Sequence, residues 1–161
     1  MSKDRPFERV KDQVGYCGIW CGSCPGGNGV TQELTKRYEE FVKHNQIEKW
    51  APKDFDFGEF MKGLESIQRM SLCPGCREGG GAPECIIRTC AKGKRFEHCN
   101  ECGQLEDCKK FDWLEASLPE IKKGLQQLKG KRKEEAIEEW TNELARKWPN
   151  CVLSCPALKG R

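Results

Sequence analysis

Residues 71–108 read SLCPGCREGGGAPECIIRTCAKGKRFEHCNECGQLEDC, and seven cysteines stand in that stretch. Two Cys-x2-Cys knuckles bracket it: Cys73-Pro74-Gly75-Cys76 and Cys99-Asn100-Glu101-Cys102, with 22 residues between them. A tight turn lets both thiols of such a pair face one tetrahedral ion, and two knuckles complete four thiolates, the sequence form of a zinc ribbon. Cys85 and Cys90 lie between the knuckles, and the gaps from Cys73 to Cys102 run 2, 8, 4, 8, 2. That symmetry suits two sites dividing the run as well as it suits one ribbon, and Cys108 adds a further donor.

Upstream stands Cys17-x3-Cys21-x2-Cys24-Pro25. Three close thiolates suit one face of a [4Fe–4S] cube whose fourth ligand comes from elsewhere, and a cysteine followed by proline also ends the bacterial ferredoxin run. Zinc uses three close cysteines as well. The same spacing occurs in radical S-adenosylmethionine enzymes, but this chain is too short and too helical for their barrel. Downstream, Cys151-x3-Cys155-Pro156 is expected to supply at least one ligand and to close the N-terminal triad. Twelve cysteines permit three four-thiolate sites.

Composition points the same way. Of 161 residues, 37% are apolar and 33% charged, so the core is thin and metal is a natural reinforcement. Net charge is +3, from 28 basic and 25 acidic residues, which is too balanced to imply nucleic acid. The basic groups at Lys92, Lys94, Arg95 and from Lys122 to Lys133 read as a solvated face, with no aromatic residues interleaved. Met1 to Val14 has no apolar run of a signal peptide, and no stretch approaches the roughly 18 apolar residues of a membrane span. A cytoplasmic location is expected, where thiols stay reduced and twelve cysteines serve as ligands rather than as six disulfides.

The expected fold is mainly α. A small metal-stabilised cysteine-knuckle core spans residues 1–112, and a helical hairpin with the terminal cysteine pair, 113–161, packs on it as part of a single domain. Thr31 is a candidate N-cap for a helix reaching about Trp50, with Leu34, Tyr38, Phe41 and Val42 on one face and Pro52 as its breaker. Asp56-Phe57-Gly58-Glu59 has capping-box form and opens a second helix, with Phe57, Phe60, Met61, Leu64 and Ile67 as its stripe. Both stripes are expected to be core. A short helix is expected to carry Leu105, Cys108 and Phe111. Ser117-Leu118-Pro119-Glu120 reads as another helix start, continued by Ile121, Leu125 and Leu128 and ended by Gly130. A last helix runs to about Trp148, with Ile137, Trp140, Leu144 and Trp148 on one face. Short hairpins are the only β-structure expected, at the knuckles.

No catalytic residue is assigned, and the reading inclines to a binding rather than an enzymatic role. Cys73-Pro74-Gly75-Cys76 has the form of a thioredoxin-type pair but no βαβ pattern around it. The Gly79 to Pro83 loop reads as flexible punctuation and lacks the Gly-Lys-Ser/Thr of a phosphate-binding loop. His44 reads as solvated, and His98, beside Cys99, as a substitute ligand at most.

Taken together, Tyr16-Cys17-Gly18-Ile19-Trp20-Cys21-Gly22-Ser23-Cys24-Pro25, Cys73-Pro74-Gly75-Cys76-Arg77, Cys85-Ile86-Ile87-Arg88-Thr89-Cys90-Ala91, Cys99-Asn100-Glu101-Cys102 and Cys108 resemble the family known as domain of unknown function 3795. These are cysteine-rich proteins of anaerobic bacteria and archaea. The resemblance covers about Val14 to Phe111. It implies metal binding, by zinc or an iron–sulfur cluster, with no agreed reaction, at Cys17, Cys21, Cys24, Cys73, Cys76, Cys85, Cys90, Cys99, Cys102 and Cys108. Asp107 stands where the family usually has a proline before the last cysteine. The functional expectation is a module with two or three zinc ions, acting by binding a partner protein. The alternative is an iron–sulfur protein, with a [4Fe–4S] cluster at Cys17, Cys21 and Cys24, that transfers electrons or handles clusters. Neither nucleic acid nor membrane is expected as a partner.

Overall fold

The computed structural model describes residues 6–147. The chain is mainly helical: α1 (Pro6–Val10), α2 (Pro25–Asn28), α3 (Val30–His44), α4 (Phe57–Gln68), α5 (Ile86–Lys94), α6 (Asp112–Glu115), α7 (Ile121–Gln127) and α8 (Lys133–Lys147). Single 3-10 turns occur at Cys21–Ser23, Ile47–Lys49, Cys76–Glu78, Cys99–Glu101 and Lys109–Phe111. Three of these turns begin on a cysteine, where the tight backbone of a knuckle leaves N–H groups free to point at sulfur. Among the described residues there is no strand. The β-structure is one isolated antiparallel bridge between Val14 and Trp20. Among the described residues no helix is long and apolar enough to cross a membrane.

The main core is shared by the knuckles and the C-terminal helices. Phe7, Val14, Tyr16 and Trp20 pack with Ile87, Phe111, Leu114, Leu125, Leu128 and Ala136. Each large apolar side chain so buried contributes roughly 1.5–3 kcal/mol. Trp20 is the pivot. Its indole stacks on Trp140 of α8 at 6.4 Å and meets Phe7 of α1 edge-on at 6.1 Å. Its Nε1–H donates to the Lys11 carbonyl at 2.6 Å. Gly18 adopts φ +89°, and a Cβ there would stand 2.9 Å from Leu125, so the first knuckle lies directly on α7.

Four helices were not anticipated: the short α2 and α6, and α1 and α5. α5 begins at Cys85, whose thiol accepts the Arg88 N–H at 3.5 Å in the manner of an N-cap. Its buried face is Ile87, Arg88 and Ala91, a 3.6-residue period masked in the sequence by the ligand-like spacing of Cys85 and Cys90. α1 buries Phe7 and Val10 within a segment that reads as polar.

Several expected boundaries move. α3 starts at Val30 after a left-handed Gly29, not on a Thr31 cap, and it ends at His44 rather than near Trp50. Asn45 Nδ2 donates back to the Phe41 carbonyl, and Gln46 turns left-handed at φ +51°, so the helix stops well before Pro52. Asp56 does cap α4, accepting the Glu59 N–H at 2.9 Å. The segment around Leu105 and Cys108 is a run of turns, not a helix, although Leu105 and Phe111 are buried. α7 begins at Ile121 with Glu120 before it, so Ser117 caps nothing and Leu118 is exposed. α7 ends at Gln127 with Leu128 as its C-cap, so the left-handed Gly130 lies in the turn beyond the helix rather than at the terminating position expected of it. α8 ends the description at Lys147, and Trp148, Cys151 and Cys155 lie outside the described residues.

α3 and α4 pack on each other beside the core. Val42 and Leu64 are buried between them, but Tyr38 and Phe41 are 52% and 56% exposed, which corrects the expectation that the whole stripe is core. Leu34 is also exposed, and Trp50, Phe55 and Met70 add to the same apolar surface population. Tyr38 meets Phe60 edge-on at 6.4 Å, and Phe60 sits within 6.0 Å of Phe55 and 5.5 Å of Phe57. Glu39 is buried and bonded by Lys43 and Gln68. Those two donors hold its carboxyl below the usual carboxylate range.

Candidate metal centres

The fold sorts the ten described cysteines into two groups. Cys17, Cys21, Cys24, Cys73, Cys76 and Cys85 line one cavity of about 170 Å³. Cys90, Cys99, Cys102 and Cys108 line a second, of about 380 Å³. The knuckle pair of the ribbon reading is thereby separated: Cys73 and Cys76 face the first cavity, Cys99 and Cys102 the second. The division falls inside α5, with Cys85 at its start and Cys90 on its second turn.

Backbone pairing builds the first group. The Cys73 N–H donates to the Gly26 carbonyl at 2.7 Å, docking the second knuckle on α2, and the Cys21 N–H donates to the Gln13 carbonyl at 2.8 Å. Gln13 Nε2 donates in turn to the carbonyls of Arg9 and Pro74, at 2.9 and 3.1 Å. Cys99 joins the same framework by donating its N–H to the Tyr16 carbonyl at 2.9 Å. Cys21 and Cys99 are buried, and the other eight cysteines are half-buried.

Sulfur is met by N–H donors, as in thiolate metal sites. Gly81 N–H donates to Cys73 Sγ at 3.2 Å, Arg88 N–H to Cys85 Sγ, and Lys94 Nζ stands 3.7 Å from Cys102 Sγ. Burial pushes the Cys17 thiol up to about 11 and the Cys99 thiol up to about 12, with neighbouring thiols adding to both. Cys21 is raised by the same cause, opposed by the Cys76 N–H. The thiols are gathered but not closed: among the described residues, no three His, Cys, Asp or Glu side chains stand as a set able to hold an ion as placed. Holding an ion would require the sulfurs to draw closer together than they stand.

Arg88 decides whether the first group suits a metal. It is 8% exposed and borders the six-thiol cavity. Its guanidinium donates to the carbonyls of Gly80, Ala82 and Pro83, at 2.5, 2.9 and 2.9 Å. Among the described residues no carboxylate pairs with it, although burying a cation is costly without a counter-charge. Four thiolates around a divalent ion carry net charge −2 and would supply one, so the donor set and its surroundings fit an anionic metal–thiolate centre.

The same contacts correct the reading of Gly79 to Pro83 as flexible punctuation. The loop is tied to Arg88, and Gly80 N–H donates to the Gly75 carbonyl at 2.8 Å. A Cβ on Gly80 would stand 2.5 Å from Cys73 Sγ and 2.9 Å from the Gly75 carbonyl. Gly80→Ala is accordingly expected to destabilise by ~1–3 kcal/mol and to lower metal retention by the six-thiol group. Gly63→Ala, on α4 with nothing within 4 Å of the new methyl, is expected to be neutral or stabilising. Urea unfolding and metal content of the two variants check this, and equal behaviour would dissociate the loop from the site.

Arg77 was also missed, although it directly follows Cys76. Its Nε donates to the Val14 carbonyl at 3.1 Å, its NH2 group to the Glu97 carbonyl at 2.6 Å, and the guanidinium lies 4.0 Å above the Tyr16 ring. It also stands 3.3 Å from His98 Nε2. Burial, then the Arg77 charge, hold His98 below its ordinary value, so the neutral ring turns its lone pair to Arg77. His98 lines neither cysteine cavity. His44 is exposed on α3, as expected.

The sequence model of a family described as "Protein of unknown function (DUF3795)" matches residues 13–113, which takes in all ten described cysteines. No curated protein and no solved structure matches the chain.

Proposed function

The chain belongs to the DUF3795 family, and from that premise we propose that it is a thiolate metal-binding protein whose ions stabilise a helical module. The observation that carries this reading is the convergence of ten cysteines from five separated motifs on two cavities. Zinc is the favoured metal. Cys90, Cys99, Cys102 and Cys108 form one four-thiolate set. Cys21-x2-Cys24 and Cys73-x2-Cys76 supply two knuckles for another, and the thiols that act on Cys21 are those of Cys76, Cys24 and Cys73. The module is proposed to act in the cytoplasm by binding a partner protein, with no catalytic step.

A second reading has one observation in its favour. Cys17, Cys21 and Cys24 share a cavity whose sulfurs receive backbone N–H bonds, an environment that also suits a [4Fe–4S] cluster. Elemental analysis of anaerobically purified protein separates the two. Colourless protein with stoichiometric zinc is expected. Brown protein with iron and acid-labile sulfide would replace zinc at the first cavity.

The direction of pH dependence gives an independent check. Thiols raised to about 11 and about 12 stabilise the protonated fold below their unfolded value of 9.0, and that contribution is lost as pH rises through the folded values. Metal binding reverses the sign, because the ligands must be thiolates and protons compete with the ion. The purified protein is expected to lose melting temperature and metal between about pH 8 and about pH 5. A melting temperature level over that range and falling only above about pH 9 would mean that free thiols hold the fold.

A further inference from the structure

α3 carries two faces. Glu39 and Val42 are buried on the face that packs against α4. Leu34, Tyr38 and Phe41, at i, i+4 and i+7, form a second stripe, and all three are exposed. α4 extends this stripe: Phe60 meets Tyr38 edge-on, and the exposed Phe55 packs on Phe60. An aromatic side chain covers about 150–250 Å² when buried. Tyr38, Phe41 and Phe55 are each about half exposed, so they leave roughly 300 Å² of aromatic surface uncovered. Apolar patches of that size are commonly contact sites. The charges beside the stripe indicate what it contacts. Along its edge away from α4, at i, i+4, i+7 and i+11, stand Glu33, Arg37, Glu40 and His44. The order acidic, basic, acidic, basic becomes its own complement when read from the other end.

Going beyond the metal-binding reading, we propose that this face pairs with a second copy of the chain, α3 against α3, antiparallel about a two-fold axis between Tyr38 and Glu39. That axis exchanges Arg37 with Glu40 and Glu33 with His44, so each of these side chains meets its complement on the second copy. A two-fold contact is self-complementary, and each pair occurs twice in it. Parallel pairing would set Glu33 on Glu33 and Arg37 on Arg37, a juxtaposition of like charges that is disfavoured. Arg37 Nε already bonds Glu33 at 2.8 Å, which leaves the terminal amino groups of its fork for the carboxylate across the seam. The same axis brings the two Tyr38 side chains together and sets each Phe41 within one helical turn of Leu34 of the second copy. Phe55 and Phe60 border the seam from α4. With the charged edge included, the contact buries on the order of 1,200 Å², the low end of stable complexes, and a dimer dissociating at micromolar concentration is expected. α3 and α4 contain no cysteine, so the pairing is tested separately from the metal.

Sedimentation equilibrium on the full-length protein as purified, under reducing conditions, is expected to show a reversible monomer–dimer equilibrium across micromolar concentrations. Phe41→Glu is expected to weaken dimerisation at least ~30-fold, because each dimer loses the ring twice. Its circular dichroism and metal content are expected to match the wild type, since the side chain stands on the surface. Arg37→Glu and Glu40→Arg are each expected to weaken the dimer ~10-fold, and the double reversal Arg37→Glu/Glu40→Arg to return it to within ~3-fold of the wild type. The charge variants carry the decision if Phe41→Glu fails to fold. A protein that stays monomeric throughout would overturn the proposal and leave the face to a different protein. A dimer indifferent to Phe41→Glu, or a double reversal that rescues nothing, would overturn it as well, by placing the contact elsewhere or in another orientation.

Discussion

Stripping the metal from anaerobically purified protein with a strong chelator is expected to abolish the cooperative thermal transition and most of the helical circular-dichroism signal. The reason lies in how little else orders the chain. α1, α2, α5, α6 and α7 have five, four, nine, four and seven residues, below the ~12–15 at which even favourable isolated helices become marginal. Their order comes from packing, and the packing is organised on the knuckles: Gly18 on Leu125, Trp20 on Trp140, and Cys99 bonded to Tyr16. Structural zinc contributes about 10–16 kcal/mol per site in small domains, against a net stability of about 5–15 kcal/mol for a whole domain. Loss of even one site therefore exceeds or consumes the margin. Zinc returned under reducing conditions is expected to restore the transition. A protein that keeps its spectrum and melting temperature after verified metal loss would show that the apolar core alone suffices.

The second large effect is expected at Arg88. Arg88→Met keeps the apolar stem but removes the cation, leaving the carbonyls of Gly80, Ala82 and Pro83 without their donor. Removing one partner of a buried charged arrangement costs about 3–5 kcal/mol, because the other side stays buried and uncompensated. Here that other side is three carbonyls and, on the proposed reading, the anionic thiolate centre. Arg88→Lys restores charge but not the planar fork that spans three acceptors, so it is expected to recover metal content better than stability. Urea denaturation with parallel metal analysis reads both. An Arg88→Met protein with wild-type stability and a full complement of metal would remove Arg88 as the counter-charge of the site.

Much of the helical plan was legible. The cap at Asp56 rests on local chemistry that a short window of sequence contains. α5 was hidden because Cys85 and Cys90 serve two patterns at once, ligand spacing and helix periodicity. The end of α3 was misplaced because Asn45 and Gln46 leave the helix through local hydrogen bonding and a left-handed turn before Pro52 is reached. The exposure of Tyr38 and Phe41 could not be read from periodicity, which shows that a stripe exists but not how much of it a neighbour covers.

The division of labour is sharpest at the cysteines. Spacing alone established that Cys73 and Cys76, or Cys99 and Cys102, can face one point together, because two intervening residues make a single tight turn. Which pairs meet was decided by tertiary structure. The Cys73 N–H docks on Gly26 and Gln13 bridges to Pro74, so the second knuckle joins the first. The Cys99–Cys102 knuckle instead shares a cavity with Cys90 and Cys108. Those contacts join residues about 50 to 60 positions apart, beyond the reach of any local pattern. Arg88 belongs to the same lesson: one arginine among 28 basic residues in the sequence, it becomes distinctive only where the fold buries it beside six thiols with no carboxylate among the described residues to meet it.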